Sequence, residues 1–425
     1  MLDSEFYDEL EIADPGEREI VLFEARGRHL SAAKEDTPYF KDLFRDIGPG
    51  GRLGEIKTRA DLAKLPVTRK SDLGALQRKD PPLAGMTAIA LANFRHIYQS
   101  PGPVYEPDAR GKDWWRMGRA LHAAGVRPGD IIHNAFSYHL TPAGMMIEAA
   151  ADAIGCAVVP AGTGQTELQI QAIGHIRPTV YTGTPSFLKI ILDKAAETGA
   201  DVSSFDKAVV SGETLGDALR GEFKNHGIFC LQAYASADIG LIAYESKAME
   251  GLIVDDRLIV EIVRPGTGDP VADGEIGEVV VTTLNRDYPL IRFATGDLSS
   301  VMGGQSPCGR TNMRLTGWKG RADQSAKVKG MFVTPSQIAD VVKRHPEIVR
   351  ARLIIDQTDG ADAMTLLCEG APGDKGGDKN GDGALAGAIA KTLENFSGLK
   401  GEVETVAPGS LADDGIVIED KRGHE

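Results

Sequence analysis

The stretches whose residue types and spacing could do chemistry each have an ordinary structural reading beside the chemical one. The run DKNGDG, within residues 369–384, sets Asp378, Asn380, Asp382 and Gly383 at the spacing that begins a calcium loop. Such a loop must close with a bidentate carboxylate at its twelfth position, which here is Ile389. The glycine- and charge-rich stretch therefore reads as a solvated loop with no calcium site. Cys156, Cys230, Cys308 and Cys368 show no CxxC spacing, which predicts a reducing compartment and no disulfide framework. The run YQSPGPVYEP around Ser100 could in principle turn its backbone toward a phosphate. Pro101 and Pro103, however, each lack the N–H that a phosphate cradle uses, so the residues read better as a Pro-Gly-Pro turn.

The elements that must position such residues fall into three zones. Residues 1 to about 90 read as helical: REIVLFEARGRHLSAAKED has apolar residues at helical spacing, and a short helix in TRADLAKL stops at Leu-Pro. From Arg95 to about Gly240 strands alternate with helices. DIIHNAF, CAVVPAG, TVYTGTP, KAVVSGE and FCLQAYA read as strands, with glycine-terminated helices between them. That alternation predicts a mostly parallel sheet covered by helices. After Gly240 short strands such as LIVEIV, GEVVVTTL and PLIRFATGD predict antiparallel structure, and a small α+β region follows from about Arg321.

Composition narrows the function classes. At 425 residues the chain should hold at least two domains. A net charge of -14 argues against a nucleic-acid partner, because a phosphate backbone requires clustered Lys and Arg. The acidic first residues do not form a signal peptide. No segment reaches the roughly 18 consecutive apolar residues of a membrane span. A soluble, cytoplasmic protein is expected, with a homodimer carried as the expectation for assembly.

Read together, GVRPGDIIHNAFSYHLTPAGMM, VVPAGTGQTELQIQAI, PTVYTGTPSFL, GEIGEVVVTTL with YPLIRFATGD, CGRT and GRADQSAKVKGMFVTPSQI resemble the phenylacetate–coenzyme A ligases. These are acyl-CoA synthetases of the adenylate-forming superfamily. The resemblance runs from TPYFKDLF near the start to EDKR near the end. It implies an α/β fold: a large AMP-binding N-terminal domain over residues 1–320, and a small C-terminal α+β lid over 321–425 with a hinge near 321–324. It also implies ATP, Mg²⁺ and coenzyme A as reactants and cofactors. In the first half-reaction a carboxylate attacks the α-phosphate of ATP; in the second, the CoA thiol displaces AMP.

Site residues follow from the same resemblance. Asp297, in RFATGD, matches the carboxylate that accepts the two ribose hydroxyls, although a Thr-Gly-Asp turn alone would also favour aspartate. Arg321 matches a catalytic arginine that approaches the ribose, and a surface ion pair is its ordinary alternative. Tyr234 matches the tyrosine beside adenine, or else a core residue. Asp238 stands where the family has a magnesium-holding glutamate, and Ala235 replaces a glycine. Gly212 and Glu213 match the adenine-contacting loop. Phe136, Tyr138 and Phe187 are candidate walls of the acyl pocket, although aromatic residues near strand ends are more often core. Lys327, Lys329 and Gly330 lie where CoA phosphates enter, or on plain solvated surface.

Three ligand sets depart from the family pattern. The Ser/Thr/Gly-rich phosphate loop is shortened to SPGP, without threonine or lysine. In the C-terminal motif Ile416 follows Gly415 where a lysine is expected, Asp413 and Asp414 precede it, and Lys421 reads as solvent-exposed. A cysteine cluster common in this branch retains Cys308, with Ser306, Asn312 and Ser246 at its other positions, too few soft ligands for structural zinc. The expected function is AMP-forming ligation of CoA to an aromatic or other small acid through an acyl-adenylate. The alternative is a catalytically impaired or ATP-independent homologue that binds acyl-CoA, nucleotide or a protein partner as a sensor or assembly subunit.

Overall fold

The computed structural model describes residues 5–45, 47, 53, 56–100, 103–322, 324, 326–329, 331–333, 335–358, 361–370, 382–412 and 416–422. Pro101, Gly102, Asp323, Gly330, Asp378, Asn380, Asp413, Asp414 and Gly415 lie outside that set, as do the side chains of Lys327 and Asp382. The chain divides into two compact units, Met1–Lys319 and Gly320–Glu425.

The first unit is organised by a nine-stranded sheet. Ala157–Pro160, Ile131–Asn134, Val180–Gly183, Lys207–Val210 and Phe229–Ser236 run parallel in that order. Gly240–Tyr244 then turns back antiparallel, and Leu252–Val254, Arg314–Leu315 and Val301–Met302 complete the edge. The apolar runs of the central strands follow from burial on both faces, as parallel sheets require. Helices cross between the parallel strands with clear stop signals. Helix Ala143–Ile154 ends at Gly155 (φ +97°), and Pro185–Thr198 starts at a Thr184 cap and ends at Gly199 (φ +70°). A second sheet pairs Leu258–Val263, Gly277–Thr283 and Phe293–Ser299 antiparallel, with Thr68–Arg69 added in parallel. In the second unit, Glu402–Val406, Ala361–Gly370, Ile348–Thr358 and Ile418–Asp420 form one sheet, packed with helices Pro335–Arg344 and Asp382–Ser397 around their own apolar core. Among the described residues no helix is long and apolar enough to cross a membrane.

Residues 95–108 depart from the strand–helix alternation. They hold an antiparallel strand pair, His96–Ser100 with Val104–Asp108, in which Ser100 pairs with Val104. Ahead of the long helix Pro15–Asp36, the chain is fixed by buried charges. Arg119, 2% exposed, meets Asp8 at 2.5 Å, Asp256 at 3.1 Å, Asp255 at 3.3 Å and Glu11 at 3.7 Å. Glu11 also accepts from the Tyr244 hydroxyl at 2.6 Å and pairs with Arg310 at 2.9 Å.

On the same long helix, His29 is buried in the core and its Nε2 has no hydrogen-bond partner among the described residues. Burial, aided by nearby Arg286, lowers its pKa to about 4. An unfolded histidine titrates near 6.5, so between about 4 and 6.5 the unfolded chain binds the additional proton and stability falls as pH falls. Between pH 6.5 and 5 the loss from His29 should be about 2 kcal/mol. Denaturation midpoints at those two pH values should therefore converge in His29→Gln relative to wild type; parallel pH dependences would refute the assignment.

Candidate active site

In an open parallel sheet, ligands bind outside the carboxyl ends of the strands, at the point where strand order reverses. Here the chain leaves Ile131–Asn134 toward Ala157–Pro160 on one side and returns to Val180–Gly183 on the other, so the reversal lies at Asn134. Asn134 organises the following turn. It donates to the Tyr138 hydroxyl at 2.7 Å and to the Gly144 carbonyl at 3.0 Å, and it accepts from Thr182 at 3.0 Å and from the Phe136 amide at 3.2 Å. The Tyr138 hydroxyl in turn donates to Glu148 at 2.7 Å. Its ring lies so close to Gly144 that a Cβ there would approach it to 2.8 Å. Phe136 packs against the core that holds Trp115, whereas Phe187 packs against the one that holds Tyr181. The three candidate acyl-pocket aromatics are thus not gathered into one packing group.

One strand along, Gly212 takes φ +88°, a left-handed turn that glycine makes without a Cβ clash. Glu213 then reaches the first turn of helix Pro185–Thr198 and accepts from the Ser186 amide at 3.3 Å. Farther along the same edge, Tyr234 and Asp297 meet. The Tyr234 hydroxyl donates to Asp297 Oδ2 at 2.8 Å, Trp318 Nε1 donates to Oδ1 at 3.1 Å, and the Asp297 amide donates to Thr295 Oγ1 at 3.1 Å. The arrangement fixes the carboxylate in orientation and suits it to accept the two hydroxyls of a vicinal diol.

Asp238 follows on the loop after Phe229–Ser236, with a side chain that is 0% exposed and Oδ2 at 2.5 Å from Lys70 Nζ. Lys70 opens the helix Lys70–Lys79. The same helix holds the hairpin, because Gln77 makes both backbone bonds of Tyr105: it donates to the carbonyl at 2.7 Å and accepts from the amide at 2.8 Å. Next to Tyr105, Glu106 is 1% exposed. Its burial first, then Asp238, push its carboxyl up to about 8 against the pull of Lys70. The other strand of the hairpin is tied to the turn that carries Tyr138, through the Gln99 amide and the Leu140 carbonyl at 2.7 Å. Lys70, Glu106 and Trp318 are not singled out by sequence reading. For Lys70 a signal exists: a cation at the positive end of a helix is unfavourable unless a tertiary partner holds it.

Asp238 Oδ1 is buried without a hydrogen-bond partner among the described residues, so the side chain retains an oxygen suited to a hard cation. Among the described residues no group of three or more His, Cys, Asp and Glu side chains is arranged to hold a metal ion. At the former cysteine cluster, Ser306 Oγ lies 3.1 Å from Cys308 Sγ and Arg310 Nη1 at 3.7 Å. Burial raises the Cys308 thiol, but hydrogen bonds from Ser246, Ser306 and Arg310 together hold it below the ordinary thiol range. Asn312 instead donates to the Val254 carbonyl at 2.9 Å.

In the second unit, Arg321 is half-buried at the unit's start and Gln324 takes φ +59°. Lys329 is exposed, with its amide donating to Asp362 at 2.9 Å. Ile416 is 40% exposed, and Lys421 is half-exposed at 3.7 Å from Glu419.

The sheet that reverses at Asn134 and the carboxylate held at its edge define an α/β protein of the adenylate-forming, AMP-binding class. A family model described as AMP-binding enzyme matches residues 142–285. The chain is 30% identical to phenylacetate-coenzyme A ligase of Thermus thermophilus, over 81% of this chain and 80% of that one. It is also 30% identical to the Escherichia coli phenylacetate-coenzyme A ligase, over 85% and 84% respectively. A crystal structure of 2-hydroxyisobutyryl-CoA ligase, in complex with 2-HIB-AMP and CoA, superposes with a TM-score of 0.86 at 22% identity, covering 99% of this chain and 93% of that one. The chain belongs to the phenylacetate–coenzyme A ligase family.

Proposed function

We propose that this protein is an AMP-forming ligase that joins coenzyme A to an aromatic or other small carboxylic acid. The observation that carries the reading is Asp297, fixed by Tyr234 and Trp318 at the ligand edge of the sheet. Alignment with two phenylacetate-coenzyme A ligases over four-fifths of the chain or more supports it. In the first step, an oxygen of the substrate carboxylate attacks the α-phosphorus of ATP and pyrophosphate leaves. In the second, the CoA sulfur attacks the acyl carbon and AMP leaves.

Asp297 receives the ribose hydroxyls, Tyr234 and the Gly212–Glu213 turn border the adenine, and Arg321 serves the ribose. Phe136 and Tyr138, at the reversal point of the sheet, form the acyl side, with Phe187 farther along. Lys329 and Gly330 serve the CoA side. Asp238 would hold Mg²⁺, which supplies neutralisation of phosphate charge when bound. The chain's division at Lys319–Gly320 and the left-handed backbone of Gln324 support a lid formed by the second unit, hinged near 321–324. The relatives do not favour the non-catalytic alternative.

The test is product analysis. Purified protein with Mg-ATP, CoA and a panel of aromatic and short acids should yield acyl-CoA and AMP in equal amounts, with no ADP. ADP formation, or AMP release with no thioester from any acid, would refute the reading.

A further inference from the structure

Among the described residues of the first unit, the buried polar atoms that lack a hydrogen-bond partner of normal geometry include four: both carboxylate oxygens of Glu106, Oδ1 of Asp238 and the hydroxyl of Tyr288. Glu106, Asp238 and Tyr288 are 1%, 6% and 2% exposed. The charge of Asp238 acts on both Glu106 and Tyr288, and that of Glu106 on Tyr288, so the three oxygen-bearing groups share one neighbourhood. Ser100 lies near enough to Glu106 to favour its charged form, yet makes no hydrogen bond of normal geometry to it. A buried carboxylate without a well-formed donor is costly, and several unpartnered acceptors in one place call for a ligand that the protein itself does not provide. Oxygen acceptors of this kind suit a hard divalent cation, and Mg²⁺ typically takes one or two protein carboxylates and completes its shell with water and substrate phosphates.

The two carboxylates come from the two elements such a role would need. Asp238 follows the strand that carries Tyr234. Glu106 stands on the hairpin strand Val104–Asp108. That hairpin is anchored by Gln77 through both of its bonds to Tyr105, so Glu106 is held in position by a rigid neighbour.

We infer that Glu106 and Asp238 together form a divalent-cation site, in which Glu106 provides a protein oxygen ligand from the hairpin that lacks the threonines and lysine of a phosphate loop. Tyr288 borders the site, and Lys70 balances the charge of Asp238. The inference deepens the ligase reading and rests on it for the use of the metal, though not for its binding.

The experiment titrates nucleotide-free protein with Mn²⁺, following the free-ion signal by electron paramagnetic resonance, and compares wild type with Glu106→Gln and Asp238→Asn. Melting curves in EDTA establish that each variant is folded. Wild type should bind one Mn²⁺, and Glu106→Gln should bind it at least about 10-fold more weakly, since even outer-shell partners are worth that much. Mn²⁺ should raise the melting temperature of wild type and leave that of Glu106→Gln unchanged. No saturable binding by wild type, or equal affinity in wild type and Glu106→Gln, overturns the inference. AMP titration of the same preparations separates the two claims: AMP binding without Mn²⁺ binding removes the cation site and leaves the ligase reading in place.

Discussion

Asp297→Ala is expected to lower the affinity for AMP about 100-fold, close to 3 kcal/mol, because two hydroxyl-to-carboxylate hydrogen bonds are lost together. The expectation rests on geometry. Tyr234 at 2.8 Å and Trp318 at 3.1 Å each hold a different oxygen of the carboxylate, so both oxygens are oriented before a ligand arrives. Asp297→Asn sharpens the test. It preserves shape but replaces one acceptor by a donor, which cannot accept a ribose hydroxyl. It should therefore lose nearly as much affinity as alanine. Trp318→Phe removes one orienting donor and should cost less, about 10-fold, the scale of a single hydrogen bond to a charged group. Calorimetric titration with AMP reads all three. Unchanged affinity in Asp297→Ala would place the ribose elsewhere.

The largest expected stability effect is in Arg119→Met. This guanidinium is 2% exposed and faces Asp8, Glu11, Asp255 and Asp256. Removing it leaves buried carboxylates together with too little positive charge, a situation that costs about 3–5 kcal/mol when one partner of a buried pair is deleted. Arg18 and Arg310 remain in the network, at 3.0 Å from Asp256 and 2.9 Å from Glu11, and limit the loss. Arg119→Lys should fall between the two, since an ammonium keeps the charge but lacks the guanidinium fork. Urea denaturation at neutral pH measures both. A loss under about 1 kcal/mol for Arg119→Met would show that the network is solvated and adds little.

The parallel sheet is readable because its strands are apolar runs, a pattern set by burial on both faces, separated by helices of which two stop at glycine. Gly155 and Gly199 mark those stops, and both adopt left-handed backbone. The hairpin at 96–108 is not readable as a hairpin, because its strands carry His96, Gln99, Glu106 and Asp108, and two prolines stand between the strands in sequence. The segment is instead held by tertiary partners such as Gln77 and Leu140, which no local pattern announces.

The same limit applies to the candidate site. Asp297 and Tyr234 can be placed by motif, and the fold brings them into contact. Trp318, Lys70 and Glu106 come from distant segments that carry no motif. Phe136 and Phe187 are both aromatic residues near strand ends, and strand ends alone do not tell which packing group receives each ring. Here the groups differ.

The measurement that bears most directly on the proposed chemistry is acid-dependent exchange of labelled pyrophosphate into ATP, with CoA omitted. It isolates formation of the acyl-adenylate, the first step of the proposed reaction. Exchange that requires a carboxylic acid and is abolished in Asp297→Ala is the predicted result. Absence of exchange with every acid tried, in protein that still binds AMP, would contradict it and leave a nucleotide-binding homologue without ligase activity.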